Sequence, residues 1–391
     1  MTATPTVSGE TRLAPTYKRP PIVFTRGEGA WLEDSSGRRY LDALAGIAVN
    51  ALGHADPETV STMREAAGGL IHVSNLFHTE PHLRLAETLC AKSFADRVFF
   101  CNSGTEAIEG ALKFARLATK RHAFVAFHGS FHGRTMGALS VTSGDRYRAP
   151  FEPLVPGVTW ASFDDPQGAV SAITAETAAV IVEPIQGEGG IRPAPEGLLR
   201  ALRQRCDETG ALLVFDEIQC GLGRTGDCWA HEATGVTPDI MTLAKPLGAG
   251  LPIGAILMRE TVATTISPGD HGSTFAGGPF ICSVANVVLR RVTQEGFLAR
   301  VREAGARLGT ALRRLDHPCI TEVRGRGLMW GVQLREDVLV AEVVQRCLDQ
   351  ALIIGSSGGN TVRLVPPLIV TDDEIDIIAA TLDRVLGGTP R

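Results

Sequence analysis

Lysine is scarce in this sequence of 391 residues. Lysine and arginine together number 38, but only five of them are lysine: Lys18, Lys92, Lys113, Lys120 and Lys245. A P-loop needs a lysine directly after a glycine, because the amine must reach the β- and γ-phosphates of the nucleotide. None of the five lysines follows a glycine. The sequence therefore excludes a P-loop NTPase, although residues 212–217 look like a Walker B strand.

Four further absences narrow the range of possible functions. No segment contains about 18 consecutive apolar residues, so we expect no membrane partner. The eight cysteines include no C-x-x-C pair, and His128 and His132 lie among glycines, so we expect no metal site. We find no signal peptide and expect a reduced, cytoplasmic protein. The net charge of −5, without a basic cluster, predicts no nucleic-acid partner.

The apolar pattern divides the chain into regions. Residues 1–16 are rich in threonine, proline and serine and predict a loose N-terminus. The middle of the chain, residues 57–292, alternates between short apolar runs and helical patterns, which is typical of a doubly wound α/β sheet. The flanking residues predict smaller mixed regions. Predicted strands cover residues 97–101, 123–127, 178–182, 212–215, 240–243 and 253–258, and predicted helices cover residues 105–120 and 197–209.

Polar residues follow the ends of these predicted strands. Ser-Gly-Thr at 103–105 follows the first, and Glu183, Asp216 and Lys245 follow three others. Ligands of open α/β sheets bind beyond the carboxyl ends of the strands, so we expect these residues to share one rim. An amine, a carboxylate and a phosphate-binding loop favour pyridoxal phosphate (PLP) chemistry, which needs all three. The role of Glu183 stays open.

A glycine-rich segment allows a second interpretation. Residues 221–226 match the G-x-G-x-x-G pattern of dinucleotide-binding proteins. In those proteins the glycines directly follow a strand and a helix begins within the motif. Here residues 216–220 intervene and Pro238 follows instead of a clear helix, so we interpret the segment as a turn. A non-catalytic nucleotide-binding protein is the alternative from another functional class.

Several segments, in register, resemble the class III PLP-dependent aminotransferases. They are FCNSGTEA at 100–107, SFHGRT at 130–135, EPIQGEGG at 183–190, FDEIQ at 215–219 and LAK at 243–245. The resemblance extends from residue 20 to residue 388. It implies PLP-dependent transferase fold type I, an α/β fold with a large, mainly parallel-sheet domain at 57–292. A small α/β domain built from both termini, 17–56 and 293–391, would complete it.

The resemblance also implies the residues that hold the cofactor. Lys245 would bond covalently to PLP and then move a proton between the substrate and the cofactor. Asp216 would pair with the ring nitrogen, Phe131 would stack on the ring and Gln219 would approach its phenolic oxygen. Taken alone, Phe131 would be a core aromatic residue, and only the matching segment favours the ring contact.

Phosphate binding is implied at the start of the predicted helix at 105–120. Ser103, Gly104 and Thr105 would hold the phosphate, since helix N-termini favour anions. An ordinary helix cap by Ser103 or Thr105 explains the same residues and is compatible with this role. Thr274 would join them from a second subunit, which implies a homodimer with shared active sites.

Substrate contacts follow from the same resemblance. Arg363 would bind the α-carboxylate of glutamate, and Glu188 would neutralise Arg363 while the other donor reacts. Arg134 would bind the distal carboxylate of either substrate, assisted by Ser273. Ile47 stands where ornithine aminotransferases have an aromatic residue, which points to an acylated or differently shaped donor.

Within the family, residues 46–54 and 271–275 resemble the acetylornithine aminotransferases. The implied reaction moves the terminal amino group of N-acetylornithine to 2-oxoglutarate, in arginine biosynthesis. The first alternative is a carrier-protein-linked aminoadipate-semialdehyde aminotransferase of lysine biosynthesis, or a bifunctional enzyme. Further alternatives are an ornithine aminotransferase, a γ-aminobutyrate aminotransferase and a PLP aminomutase.

Three residues depart from the pattern of the family: His78, Pro246 and Gly278. Pro246 predicts an extended backbone at Lys245, because proline restricts the residue before it.

Overall fold

The structure, a computed structural model, describes residues 12–388. Most of the predicted loose N-terminus, residues 1–11, lies outside the described residues. The strands, in chain order, are β1 (Phe24–Glu28), β2 (Trp31–Asp34), β3 (Arg39–Asp42), β4 (Arg97–Cys101), β5 (Ala123–Phe127), β6 (Val158–Ala161), β7 (Thr177–Val182), β8 (Ile185–Gln186), β9 (Arg192–Pro193), β10 (Leu212–Asp216), β11 (Ile240–Leu243), β12 (Gly254–Met258), β13 (Ile320–Arg326), β14 (Met329–Leu334), β15 (Leu352–Ile353), β16 (Gly355–Ser357) and β17 (Thr361–Leu364).

The helices alternate with these strands through the middle of the chain. They are α1 (Ala45–Ala48), α2 (Pro57–Ala67), α3 (Glu80–Ala91), α4 (Gly104–Thr119), α5 (Met136–Ser140), α6 (Asp145–Arg148), α7 (Pro166–Ser171), α8 (Leu198–Thr209), α9 (Glu260–Ala263), α10 (Pro279–Val292), α11 (Glu295–Arg313), α12 (Val340–Asp349) and α13 (Asp372–Gly387). Short 3-10 helices cover Ala149–Phe151, Ala230–Thr234 and Lys245–Gly248.

The central sheet has the strand order β4-β12-β11-β10-β7-β5-β6. Neighbouring strands from β11 to β6 are parallel. Every residue of β7 and β11 is buried, as expected when helices cover both faces of a parallel sheet. The predicted α/β fold with a mainly parallel sheet is confirmed. β12 is antiparallel to both β11 and β4, a reversal that the apolar pattern did not predict.

The two predicted helices lie on opposite faces of this sheet. α4 and α8 begin and end within one residue of the predicted bounds, 105–120 and 197–209. Leu112 of α4 packs in one apolar core, and Leu202 of α8 packs in another. Alternate residues of the same strands enter the two cores, because successive side chains of a strand point to opposite faces.

Strands from the two ends of the chain share a second sheet, in the order β1-β2-β3-β15. β15 pairs with β3 in parallel, with Leu352 opposite Leu41. The indole N–H of Trp31 donates a hydrogen bond of 2.8 Å to Glu374 of α13. A third, antiparallel sheet has the order β13-β14-β17-β16. The first strands of the chain are thus held against its last third.

The carboxyl ends of the central strands meet at one edge of the sheet. β10 ends at Asp216, which stands opposite Thr242 of the parallel strand β11. β11 ends two residues before Lys245, and β7 ends directly before Glu183. The rim predicted from the strand ends is therefore confirmed.

The glycine-rich segment 221–226 forms a turn. Leu222, Gly223 and Gly226 have φ angles of +48°, +81° and +91°. The next helical element is the 3-10 helix at Ala230–Thr234, so no helix N-terminus lies in the motif. The predicted turn is confirmed, and the nucleotide-binding alternative loses the feature on which it rested.

Within residues 12–388, no helix combines the length and the apolar character that crossing a membrane requires. The same residues contain no group of three or more His, Cys, Asp and Glu side chains arranged to hold a metal ion.

Candidate active site

Lys245 begins the tight turn that follows β11. The turn is the 3-10 helix Lys245–Gly248, and Lys245 has a φ of +34°. The predicted extended backbone at Lys245 is therefore wrong. Pro246 disfavours the right-handed helical region for the residue before it, and Lys245 adopts a positive φ at the start of a turn in which Pro246 and Leu247 are buried. Strain of this kind in a non-glycine residue is typical of functional sites.

The amine of Lys245 has an altered acidity. Burial lowers the pKa of Lys245, opposed by the charge of Asp216 and assisted by that of Arg363. Glu188 and Glu183 also raise the pKa, but burial prevails and the pKa is below its usual value. A larger share of the amine is therefore neutral and nucleophilic at neutral pH.

Asp216 is paired with a histidine. His132 Nδ1 lies 2.7 Å from Asp216 Oδ2, and both side chains are buried. Burial lowers the pKa of His132, but the hydrogen bond and charge of Asp216, with the charge of Glu183, outweigh burial and raise it. A protonated Nδ1 therefore donates to Asp216. The other carboxylate oxygen accepts the backbone N–H of Ile218 at 3.0 Å, so both oxygens are oriented.

Glu183 is a buried carboxylate with two backbone partners. Its Oε1 accepts the N–H of Phe131 at 2.9 Å, and its Oε2 accepts the N–H of Gly187 at 2.8 Å. Burial raises the pKa of Glu183; His132 lowers it and Asp216 raises it further. The sequence predicts Glu183 at the rim without indicating a role, and in the structure Glu183 anchors two loops.

The loop at 102–105 leads into α4. Ser103 is the N-cap, and its Oγ accepts the N–H of Glu106 at 3.3 Å. Gly104 is packed so closely against Ile218 that a Cβ at 104 would lie 2.8 Å from the Cδ1 of Ile218. The loop therefore needs a glycine there. The unsatisfied N–H groups of the first helical turn favour a bound anion such as phosphate.

Phe131 and Arg134 stand together in the segment after β5. The guanidinium carbon of Arg134 lies 4.0 Å from the ring centroid of Tyr147 and 5.3 Å from that of Phe131. Cation–π contacts of this kind orient a guanidinium while leaving its edge donors free. Arg134 is exposed, so those donors are accessible to a carboxylate.

Arg363 lies on β17 and forms an ion pair with Glu188. Arg363 is only 4% exposed, and its Nε has no hydrogen-bond partner among residues 12–388. A charge that is so deeply buried needs an opposite charge beside it. The charges of the two residues act on the pKa of Lys245 in opposite directions, Arg363 lowering it and Glu188 raising it.

The elements at the rim enclose a cavity of about 440 Å³. Eight predicted residues line it: Ser103, Gly104, Thr105, Phe131, Arg134, Asp216, Gln219 and Lys245. His132 and Glu183 line it too. Gln219 is buried, and its Oε1 has no partner among the described residues, so this acceptor is available to a bound group.

The chain matches the family described as Aminotransferase class-III over residues 13–386. It belongs to the class-III aminotransferases. An acetylornithine aminotransferase from Alnus glutinosa, described as mitochondrial, is 50% identical over 392 residues, which cover 97% of this chain and 86% of that protein. An acetylornithine aminotransferase from Rhodobacter capsulatus is 47% identical over 378 residues, covering 94% and 96%.

Solved structures agree with the family. An ornithine aminotransferase from Toxoplasma gondii superposes with a TM-score of 0.92 at 32% identity, covering 96% of this chain and 92% of that one. An N-acetylornithine aminotransferase from Stenotrophomonas maltophilia has a TM-score of 0.82 at 38% identity, covering 94% and 95%. Both structures share the fold, so the fold alone does not select the amino donor.

Class-III aminotransferases are PLP-dependent, and this transaminase has a site that suits PLP. The cavity offers the amine of Lys245, a carboxylate at Asp216 and the helix N-terminus after Ser103. These are the groups that PLP chemistry requires. When bound, PLP supplies an electron sink for the negative charge that develops on the substrate carbon.

Five predicted residues lie outside the lining of this cavity: Ile47, Glu188, Ser273, Thr274 and Arg363. Glu188 and Arg363 stand beside it as the ion pair. The Oγ of Ser273 accepts a hydrogen bond of 2.9 Å from Asn102, which lines the cavity. Thr274 is exposed, and Ile47 is 37% exposed in a turn with a φ of +64°.

His132 is the main residue that sequence reasoning missed. It is 84 residues from Asp216 along the chain, so no spacing relates the two. The sequence signal that points to His132 is its position directly after Phe131, within the segment at 130–135 that resembles the family.

Proposed function

We propose that this class-III aminotransferase moves the terminal amino group of N-acetylornithine to 2-oxoglutarate. The products are N-acetylglutamate semialdehyde and glutamate, in arginine biosynthesis. Relatives named acetylornithine aminotransferase, at 50% and 47% identity, support this donor. The observation that carries the proposal is the ion pair between the buried Arg363 and the half-buried Glu188, since the charges of both act on the pKa of Lys245.

The ion pair suits two donors of different charge. Glutamate carries a carboxylate on its reacting carbon, and Arg363 binds that carboxylate. The terminal amine of N-acetylornithine has no carboxylate there, so Glu188 neutralises Arg363 while this donor reacts. Arg134 binds the distal carboxylate of either substrate with Ser273 assisting, and Ile47 leaves space for the acylated donor.

The cofactor residues have separate tasks. With PLP bound, Lys245 would hold it covalently and would then move a proton between the substrate and the cofactor. Asp216 would keep the ring nitrogen protonated, Phe131 would stack on the ring and Gln219 would approach the phenolic oxygen. Ser103, Gly104 and Thr105 would hold the phosphate, together with Thr274 of a second subunit.

A homodimer is part of the proposal. Large apolar side chains are exposed on two segments, and these are Leu70, Ile71, Leu76, Phe77 and Phe275. The segments touch, since the rings of His72 and Phe275 lie 5.5 Å apart between centroids. An exposed apolar surface beside the Thr274 loop supports a contact with a second copy of the chain.

We also propose the domain division 17–56 with 293–391 against 57–292, and a cytoplasmic location. The sheet that joins β15 to β3 supports the division. All eight cysteines lie within residues 12–388 and are free thiols, which supports a reducing compartment. Limited proteolysis tests the division, and cell fractionation tests the location.

Donor competition tests the substrate. With 2-oxoglutarate as acceptor, we expect kcat/KM to be largest for N-acetylornithine among N-acetylornithine, ornithine and 4-aminobutyrate. A larger value for either of the others would overturn the donor. Preference for a carrier-linked lysine precursor would place the enzyme in lysine biosynthesis.

Arg134→Ala should raise KM for N-acetylornithine and glutamate alike, because both substrates use the same guanidinium.

A further inference from the structure

The loop that carries Glu188 is held from both sides. On one side, Glu183 accepts the N–H of Gly187 at 2.8 Å. On the other, the N–H of Gly358, between β16 and β17, donates to the carbonyl oxygen of Glu188 at 2.7 Å. The backbone around Glu188 is thus fixed by the large sheet through Glu183 and by the C-terminal hairpin through Gly358.

Close packing leaves this backbone little freedom. A Cβ at Gly187 would lie 2.5 Å from the Nε2 of Gln219, and a Cβ at Gly358 would lie 2.6 Å from the carbonyl oxygen of Glu188. The carbonyl of Gly190 also accepts the Nε–H of Arg324 at 2.8 Å. The loop cannot swing away without breaking several hydrogen bonds at once, of which the one from Gly187 to Glu183 is buried.

Glu183 also holds the opposite wall of the site. Its second oxygen accepts the N–H of Phe131, the residue proposed to cover the cofactor ring. One carboxylate therefore spans the Phe131 segment and the Glu188 loop, so the two are positioned relative to each other.

We propose that Glu183 is a positioning residue that fixes the backbone beside Glu188, so that the Arg363–Glu188 pair opens only by rotation of the Glu188 side chain. The inference rests on the proposed exchange of Glu188 for the carboxylate of glutamate. A fixed backbone with a rotating side chain lets one site alternate between two donors without a loop movement.

Two variants loosen the loop from different sides. Glu183→Ala removes both acceptors at once. Gly358→Ala leaves Glu183 and Phe131 intact but presses a methyl group against the carbonyl of Glu188. Glu176→Ala is the control, because Glu176 is an exposed carboxylate just before β7.

The half-reactions are measured separately in single turnovers, with glutamate and with an ω-amine that the wild type accepts. A displaced Glu188 neutralises Arg363 less well, which harms only the donor that lacks the carboxylate. In both variants we expect kcat/KM for the ω-amine to fall about tenfold further than kcat/KM for glutamate. A factor of about ten is the size of effect that the loss of one hydrogen bond produces. Equal losses in both half-reactions would overturn the proposal and leave Glu183 with a merely structural role.

A binding measurement gives an independent readout. Glutarate, a dicarboxylate probe, is titrated calorimetrically into the apoenzyme. We expect several-fold tighter binding in both variants, because Glu188 competes less for Arg363, and unchanged affinity would count against the proposal. If the wild type accepts 4-aminobutyrate but not N-acetylornithine, the proposed donor fails, while a tighter glutarate complex still supports the role of Glu183.

Discussion

Lys245 combines a strained backbone with an amine of lowered pKa. Its φ is +34°, and burial is the main cause of the lowered pKa. Neither property belongs to lysine as a residue type; both come from the turn that follows β11. At this scale the acidity of two groups in the site is set by their neighbours: burial lowers the pKa of Lys245, and the hydrogen bond and charge of Asp216 raise the pKa of His132.

The acidity of Lys245 predicts selective labelling of the apoenzyme. Amine-directed acylation should modify Lys245 at a lower pH than it modifies the exposed Lys120, because only the neutral amine reacts. Peptide mapping by mass spectrometry across a pH series measures this. Labelling of both lysines with the same pH profile would contradict the lowered pKa.

The same shift affects stability with a definite sign. Between the lowered pKa and the usual value of 10.5, the unfolded chain binds more protons at Lys245 than the folded chain. The contribution of this group to the free energy of unfolding therefore rises with pH across that window. We expect apo wild type to gain more stability than apo Lys245→Met as pH is raised towards 10. Urea titrations at each pH provide the measurement.

Substitution of Asp216 tests the partner of the ring nitrogen. Asp216→Asn keeps the shape but removes the charge that keeps the nitrogen protonated. We expect kcat/KM to fall about a hundredfold or more, the scale of losing one preorganised electrostatic contact. Asp316→Asn, an exposed carboxylate, is the control. Wild-type kinetics in Asp216→Asn would refute the assigned role.

The start of α4 is the element on which phosphate binding depends. Ser103 caps the helix, and Gly104 lets the loop approach Ile218. The helix itself is apparent from its apolar pattern, whereas the close approach of residue 104 to residue 218 is a tertiary feature. The geometry of this element is therefore set by a neighbour that is distant in the sequence.

Gly104→Ala should weaken PLP binding and destabilise the protein by about 1–3 kcal/mol, as overpacking does. The added Cβ would lie 2.8 Å from the Cδ1 of Ile218. Ile218→Val removes that Cδ1, so the double variant should recover part of both losses. Fluorescence titration with PLP and thermal melting measure the two effects. Failure of Ile218→Val to rescue either would show that another contact is responsible.

The whole molecule brings together strands from both ends of the chain and leaves an apolar surface beside the site. β15 pairs with β3, and Leu76, Phe77 and Phe275 are 86%, 67% and 65% exposed. This surface lies next to Thr274, which is proposed to reach the partner's phosphate. Under the proposed homodimer, the complete site would need residues from two copies of the chain.

Mixed dimers test this sharing. Lys245→Ala and Thr274→Ala chains are co-expressed with different tags, and the heterodimer is isolated. If Thr274 serves the partner's site, one site of the heterodimer has both wild-type residues, and activity should recover to about half that of wild type. If Thr274 serves its own chain, each site carries one defect and the heterodimer should have only about half the activity of the Thr274→Ala homodimer.

Local features of the sequence were sufficient for six strands of the central sheet, for the helices α4 and α8 and for the rim. Apolar periodicity predicted β4, β5 and β11 with their observed bounds, and the family motifs selected the eight residues that line the cavity. β6 escaped prediction because it is a short strand at the edge of the sheet, where the apolar signal is weak. The scarcity of lysine left Lys245 as the candidate amine.

The remaining features depend on packing between distant segments. The pairing of His132 with Asp216, the two loops held by Glu183 and the antiparallel direction of β12 join parts of the chain that no local pattern relates. The backbone of Lys245 has a positive φ, although the following Pro246 predicts an extended backbone. The tertiary structure around the turn therefore decides this conformation, and the local preference of the residue does not. Sequence patterns report local preferences, whereas pKa shifts, orientations and strain arise only when the folded chain surrounds each group.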